Sequence, residues 1–148
     1  MKSTIPISSL LHGKSPALWT IAPDATVFEA IRLMAAENIG ALLVMSGSTL
    51  AGVLTERDYT RKVALHGKFS KETQVWEIVS NRIVTVTPED SIEECMRLMT
   101  ENRVRHLPVL QNQEVVGIVS IGDLVNWIIS AQNATIEQLE QYIGVGAA

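Results

Sequence analysis

Gly52-Val53-Leu54-Thr55-Glu56-Arg57-Asp58 returns 65 positions later as Gly117-Ile118-Val119-Ser120-Ile121-Gly122-Asp123. In each stretch an aliphatic run meets a hydroxyl residue, and a carboxylate follows three residues on. A strand running into a helix reads this way, with Thr55 or Ser120 as N-cap and Asp58 or Asp123 in the first turn. The same offset holds for Thr20/Thr85, Pro23/Pro88, Glu29/Glu94, Arg32/Arg97, Leu33/Leu98, Met34/Met99, Leu42/Leu107 and Val44/Val109. With Gly52/Gly117 and Asp58/Asp123 these make ten identities over positions 20–59 without a gap. Chance would give roughly one in fifteen to twenty positions, so the chain is an internal duplication.

Each copy predicts β-α-β-β-α. Trp19–Ala22 and Ile83–Thr87 read as short strands ended by Pro23 and Pro88. Thr26 with Glu29, and Ser91 with Glu94, have capping-box spacing, and Val27, Ala30, Ile31 and Met34 (Ile92, Cys95, Met96 and Met99) then recur at helical steps. Hairpins follow: Ala41–Met45 with Leu50–Leu54, and His106–Leu110 with Val115–Val119. The organisation expected is an N-terminal segment at 1–18 with a short helix from Ile7 ended by Gly13, a first copy at 19–65, and a polar linker at 66–82 with a helical turn near Val75–Val79. A second copy at 83–131 and a C-terminal stretch at 132–148 complete it. In that last stretch a separate helix is expected from Thr135, capped with Gln138 and stopped at Gly144, with a frayed tail after it. A copy of about 60 residues buries only a modest share of its surface. The fold class expected is therefore α/β (α+β), with the two copies packed sheet to sheet about a pseudo-twofold axis.

The composition narrows the function. The 148 residues are 47% hydrophobic and 19% charged, which excludes a disordered or collagen-like chain. A net charge of −4 argues against nucleic acid held by bulk charge. One cysteine forms neither an internal disulfide nor a thiolate zinc site. No apolar run approaches the ~18–20 residues of a membrane helix, and the start lacks a signal-peptide core, so a cytoplasmic protein without a membrane partner is expected. His12, His66 and His106 have no ligand-spaced neighbours, so no metal site is expected. Cys95 sits on an apolar helix face as a small buried hydrophobe, and Gly13-Lys14-Ser15 lacks the preceding glycine and strand of a phosphate loop. No nucleophile–base arrangement and no catalytic residue is found, so the chain is not expected to be an enzyme.

The repeated motif supports two readings of the same geometry. One is capping alone. In the other, the helix N-terminus and its hydroxyl attract phosphate while the carboxylate one turn in accepts ribose hydroxyls, which together describe a nucleotide.

G-h-h-S/T-x-x-D, occurring twice after h-x-P and a helix, with h-P-V before it in the second copy as Leu107-Pro108-Val109, resembles a tandem pair of cystathionine-β-synthase (CBS) domains, a Bateman module. The resemblance covers Leu10 to Ile129, and Thr55-Glu56-Arg57-Asp58-Tyr59-Thr60-Arg61-Lys62-Val63 is similar to the bacterial and organellar subgroup in which the module stands alone. It implies a regulatory module that binds an adenosine-containing small molecule in two clefts: AMP foremost, with ADP, ATP, NAD or S-adenosylmethionine as alternatives. By position it implies that Asp58 and Asp123 hold ribose, and that Thr55, Ser120, Arg57, Arg105 and His106 face phosphate. Adenine would lie against Thr20, Ile21, Ala22, Ile39, Gly40, Thr85, Val86, Thr87 and Val104. The copies differ: Arg105-His106 aligns with Gly40-Ala41, and Arg57 with Gly122, which reverses the bias, so the clefts are expected to differ in ligand or occupancy. Arg61 and Lys62 read as a solvated helix face, and His106 reads equally as a plain strand residue. The resemblance further implies a homodimer through helices, with Met34, Met99 and Val125-Trp127-Ile128 as candidates. With no output domain expected in the chain, it would act on a separate, unidentified regulated protein. A structural dimerisation protein with vestigial clefts is the alternative.

Overall fold

The computed structural model describes residues 5–11, 18–80 and 82–144. Its elements are α1 (Ser8–Leu11), β1 (Thr20–Ile21), α2 (Val27–Glu37), β2 (Ala41–Ser46), β3 (Thr49–Thr55), α3 (Glu56–Tyr59), α4 (Ile92–Asn102), β4 (His106–Gln111), β5 (Glu114–Ser120) and α5 (Ile121–Tyr142). A π turn, Thr60–Ala64, continues α3, and a 3-10 turn, Val75–Glu77, lies between the copies. The duplication is visible residue by residue. Both hairpins carry a bulge at equivalent positions, Val44/Met45 and Val109/Leu110. Both α2 and α4 end on a left-handed residue, Asn38 or Arg103.

Each copy has its own core. Val27, Ala30, Met34, Leu42, Val44 and Leu54 pack together in the first, and Ile92, Cys95, Met99, Leu107, Val109 and Val119 in the second. Helices cover one sheet face, and the other face turns to the partner copy, with Leu43 and Pro108 buried at equivalent positions. The expected sheet-to-sheet α/β arrangement is therefore the observed one.

The segment ahead of each copy crosses over to the other. Ile7 and Leu10 are buried in the second copy's core, while Val75 and Ile78 are buried in the first. Their backbone bonds correspond one to one. Ile7 N–H donates to Asp90 O (2.9 Å) and Ser8 N–H to Pro88 O (3.0 Å); Val75 N–H donates to Ala25 O (2.9 Å) and Trp76 N–H to Pro23 O (3.0 Å). Gly52 and Gly117 make room for these segments. A Cβ on Gly52 would lie 2.6 Å from Val79 Cγ2, and one on Gly117 would lie 2.9 Å from Leu11 Cδ2. The copies thus complete each other's cores.

Three expectations are corrected. The strand expected at Ile83–Thr87 reduces to one parallel bridge, Val86↔Val109, whereas β1 pairs Thr20↔Leu43 and Ile21↔Val44. In the first copy Leu43 N–H donates to Trp19 O (3.1 Å). The equivalent donor in the second copy is Pro108, which has no N–H to give. The two helices expected after Asp123 are one, and Thr135 is no cap: its hydroxyl donates to Ala131 O (3.0 Å) within α5. Third, Thr26 and Ser91 accept from Glu29 N–H and Glu94 N–H as expected, but Glu94 turns its carboxylate to Arg97 instead of completing a box. Full boxes form at Thr55/Asp58 and Ser120/Asp123. Gly13 and the tail at 145–148 lie outside the described residues.

Candidate functional site

Two clefts open between the copies, and each is built from both. One, of about 610 Å³, joins Thr55 and Asp58 of the first copy to Val104, Arg105 and His106 of the second. The other, of about 340 Å³, joins Ser120 and Asp123 of the second copy to Ile39, Gly40 and Ala41 of the first. Val53 and Pro108 floor the larger cleft, and their equivalents Ile118 and Leu43 floor the smaller. The repeated motif of each copy therefore faces the helix-to-strand corner of the other.

At the larger cleft the capping geometry is complete. Thr55 N–H donates to Asp58 Oδ2 (2.9 Å), Asp58 N–H donates to Thr55 Oγ1 (3.1 Å), and the Thr55 hydroxyl donates to Asp58 Oδ2 (3.0 Å). Lys62 Nζ stands 3.4 Å from Asp58 Oδ1 and donates to Ile78 O (2.9 Å). A carboxylate offers about four acceptor positions, so Asp58 keeps capacity for one or two hydroxyl donors. The Thr55 hydroxyl has no second proton for a phosphate while it bonds Asp58. Glu56 N–H is also committed, to Gly40 O (3.1 Å), and its equivalent Ile121 N–H bonds Arg105 O (2.9 Å). With the first-turn amides of Glu56 and Asp58 engaged internally, a phosphate in this cleft has to rely chiefly on side chains. At the smaller cleft Ser120 N–H donates to Asp123 Oδ2 (2.8 Å) and Asp123 N–H to Ser120 Oγ (3.1 Å).

The other sequence-named residues divide. Arg57, Arg105, Val104 and Gly40 line the larger cleft; Ile39 lines the smaller; Gly40 and His106 border both. Thr20, Ile21, Ala22, Thr85, Val86 and Thr87 are not among the lining. Val86 is buried in the second core and Ile21 packs against the first, because their register partners Val109 and Val44 face those cores. The lining comes instead from Trp19 and from Ile83 and Val84, where the chain enters each sheet. Arg61 and Lys62, read as a solvated face, reach the larger cleft. Arg82, Asn102 and Arg103 also line it, although no motif in the sequence marks them. The alignment Asn38/Arg103 was available as a signal, since an arginine replaces a residue type suited to the left-handed cap. Among the described residues no group of three or more His, Cys, Asp or Glu is placed to hold a metal, and no helix is long and apolar enough to cross a membrane. Burial pushes the Cys95 thiol up to about 11, with Asp90 and Glu94 adding to the shift.

Comparison with known proteins agrees with this architecture. Residues 13–65 and 75–130 each match the CBS domain. A CBS domain-containing protein of Arabidopsis thaliana, CBSX3, mitochondrial, is 41% identical over 150 residues, covering 95% of this chain and 72% of that protein. The structure of a CBS-domain protein from Burkholderia ambifaria MC40-6 superposes with a TM-score of 0.84 at 45% identity, covering 86% of this chain and 96% of that one. The CBS domain pair of protein MJ0100, solved in complex with 5′-methylthioadenosine and S-adenosyl-L-methionine, shares the fold at 20% identity with a TM-score of 0.76, covering 86% of this chain and 98% of that one.

Proposed function

The chain belongs to the CBS-domain family as a tandem pair, and we propose that it is a non-catalytic sensor that binds an adenosine-containing ligand and so modulates a separate protein. The observation that carries this reading is the crossed construction of the clefts. Each brings a carboxylate, an apolar floor and a helix-to-strand corner to one place, and these suit ribose, adenine and the adjoining backbone contacts. Asp58 and Asp123 take the ribose, and Val104 and Ile39 lie against the base. The adenosine-derived ligands of the MJ0100 domain pair support the ligand class. AMP is the first candidate; ADP, ATP, NAD and S-adenosylmethionine share the adenosine moiety. Calorimetric titration with each is expected to give saturable binding at micromolar to millimolar strength, lost when Asp58→Asn and Asp123→Asn are combined. Unchanged affinity in the double variant overturns the site assignment.

The completed capping boxes favour a second reading, a structural protein whose carboxylates only hold helices. No shift in melting temperature with any adenosine ligand at millimolar concentration would support it. Under either reading the chain self-associates through its helices. Ile129, Ile136, Leu139 and Tyr142 leave apolar surface exposed on α5. Light scattering giving a single 16 kDa species would contradict this.

A further inference from the structure

Sequence alignment sets Arg57 and Arg105 at opposite ends of their copies, so their charges pull the two clefts in opposite directions. The crossed construction reverses this result. The motif of the first copy and the corner of the second meet in the same cleft, so the cations add. Arg57, Arg61, Lys62, Arg82, Arg103 and Arg105 all line the larger cleft, against the carboxylates of Glu56 and Asp58. Among the described residues the smaller cleft has no lysine or arginine in its lining; it has Asp123 and shares His106. Among the described residues the duplication has thus separated one pseudo-symmetric pair into a strongly cationic cleft and one lined by no lysine or arginine, in a chain whose net charge is −4.

The cations also differ in what occupies them. Lys62 is held by Asp58 and Ile78 O, and Arg82 Nη2 donates to Asn102 Oδ1 (2.9 Å). Arg57, Arg61, Arg103 and Arg105 make no ion pair among the described residues. Arg103 is further marked by its backbone. It sits at φ 55°, where its equivalent is Asn38 at φ 54°. Asparagine is enriched in the left-handed region and arginine is not, so an arginine held there at the cleft is consistent with strain retained for a binding role. Several guanidinium groups around one cavity match the geometry and charge of a chain of phosphates, which they bond in bidentate fashion. A volume of about 610 Å³ falls in the range of small-ligand sites.

We propose that the larger cleft is selective for the polyphosphate chain of an adenine nucleotide, that the smaller cleft excludes polyphosphates, and that the protein therefore binds one nucleoside triphosphate per chain. This rests on the adenosine reading of the clefts and adds a charge requirement to one of them. Arg103 and Arg105 of the second copy close on phosphates from one side, and Arg57 and Arg61 of the first from the other.

The test is calorimetry of the full chain with metal-free ATP and with adenosine, in the wild type and in a variant combining Arg57→Gln, Arg103→Asn and Arg105→Gln. Arg103→Asn restores the residue found at the equivalent cap. ATP is expected to bind with one site per chain and more tightly than adenosine. Each lost arginine contact should weaken ATP by about tenfold or more, while adenosine affinity changes little. The slope of log affinity against log salt for ATP should also become shallower in the variant. Two ATP sites per chain, or an ATP-to-adenosine affinity ratio unchanged in the variant, overturns the proposal while leaving the adenosine reading intact. If neither ATP nor adenosine binds the wild type, the adenosine reading itself fails, and the proposal with it. Comparing two ligands in the same variant keeps the result independent of any general loss of stability.

Discussion

Asp58 carries two tasks in this account, and its substitutions separate them. Its Oδ2 accepts from Thr55 N–H at 2.9 Å and from the Thr55 hydroxyl at 3.0 Å, and the side chain is only 23% exposed. Asp58→Ala removes both acceptors and leaves a part-buried amide unpaired. Loss of a cap interaction costs about 0.5–2 kcal/mol, and an orphaned donor about 1–3 kcal/mol. Because the site is part-exposed and water can reach the amide, about 1–2 kcal/mol is expected for the alanine variant. Asp58→Asn keeps an oxygen in place for Thr55 N–H. It gives up the charge and the Lys62 pair at 3.4 Å, whose lysine side chain is 42% exposed, a contact worth about 0.2–1 kcal/mol at most. The asparagine variant should therefore lose under about 1 kcal/mol. Urea denaturation followed by far-UV circular dichroism measures both. Ligand affinity should fall in both variants, because a neutral amide accepts more weakly than a carboxylate from ribose hydroxyls. If the asparagine variant keeps full ligand affinity, or if alanine and asparagine destabilise equally, the assignment of both a capping and a ligand-binding task to Asp58 is wrong.

Other consequences of the packing can be checked directly. Gly52→Ala should destabilise by about 1–3 kcal/mol, because its Cβ meets Val79 at 2.6 Å and the Ser80 carbonyl at 3.2 Å. Gly117→Ala meets only the movable end of Leu11 and should cost less, so equal losses in denaturation midpoint would contradict the crossover contacts. Ile7→Ala removes a fully buried side chain from the second copy's core and should cost about 2–5 kcal/mol, with both copies unfolding in one transition. Two separate transitions would show that the copies do not depend on each other. Cys95 is buried with its thiol raised from 9.0 to about 11, so the folded state holds its proton where the unfolded chain releases it. This contribution to stability is present below about pH 9 and is lost as the pH rises towards 11. A thiol reagent at pH 8 should label Cys95 in denaturant and leave the folded protein unlabelled.

The duplicated elements were legible because they are local. Capping residues, helical spacing and hairpin turns announce themselves within a dozen positions, and the fixed offset then tied the copies together. What spans the copies was not legible. Ile7 and Val75 look like parts of ordinary short helices, and nothing in their immediate sequence says that each fills the other copy's core. Their offset is 68 and not 65, so they fell outside the gap-free register. The alignment sets Arg57 and Arg105 at opposite ends of their copies, and the crossed clefts bring them together. The resemblance sets Ile21 and Val86 against adenine by position alone, whereas strand register turns both to the cores. Pro108 shortened the second sheet through a single missing N–H, an effect visible only once its partner, the Val84 carbonyl, is known.

The claim on which the rest depends is that each ligand site is shared between the copies. A crystal structure of the chain grown with an adenine nucleotide at saturating concentration tests it most directly. The account predicts a ribose on the Asp58 carboxylate with the base against Val104 and the phosphates towards Arg103 and Arg105 of the other copy. A nucleotide held within one copy alone, or a saturated crystal with the larger cleft empty, would contradict it.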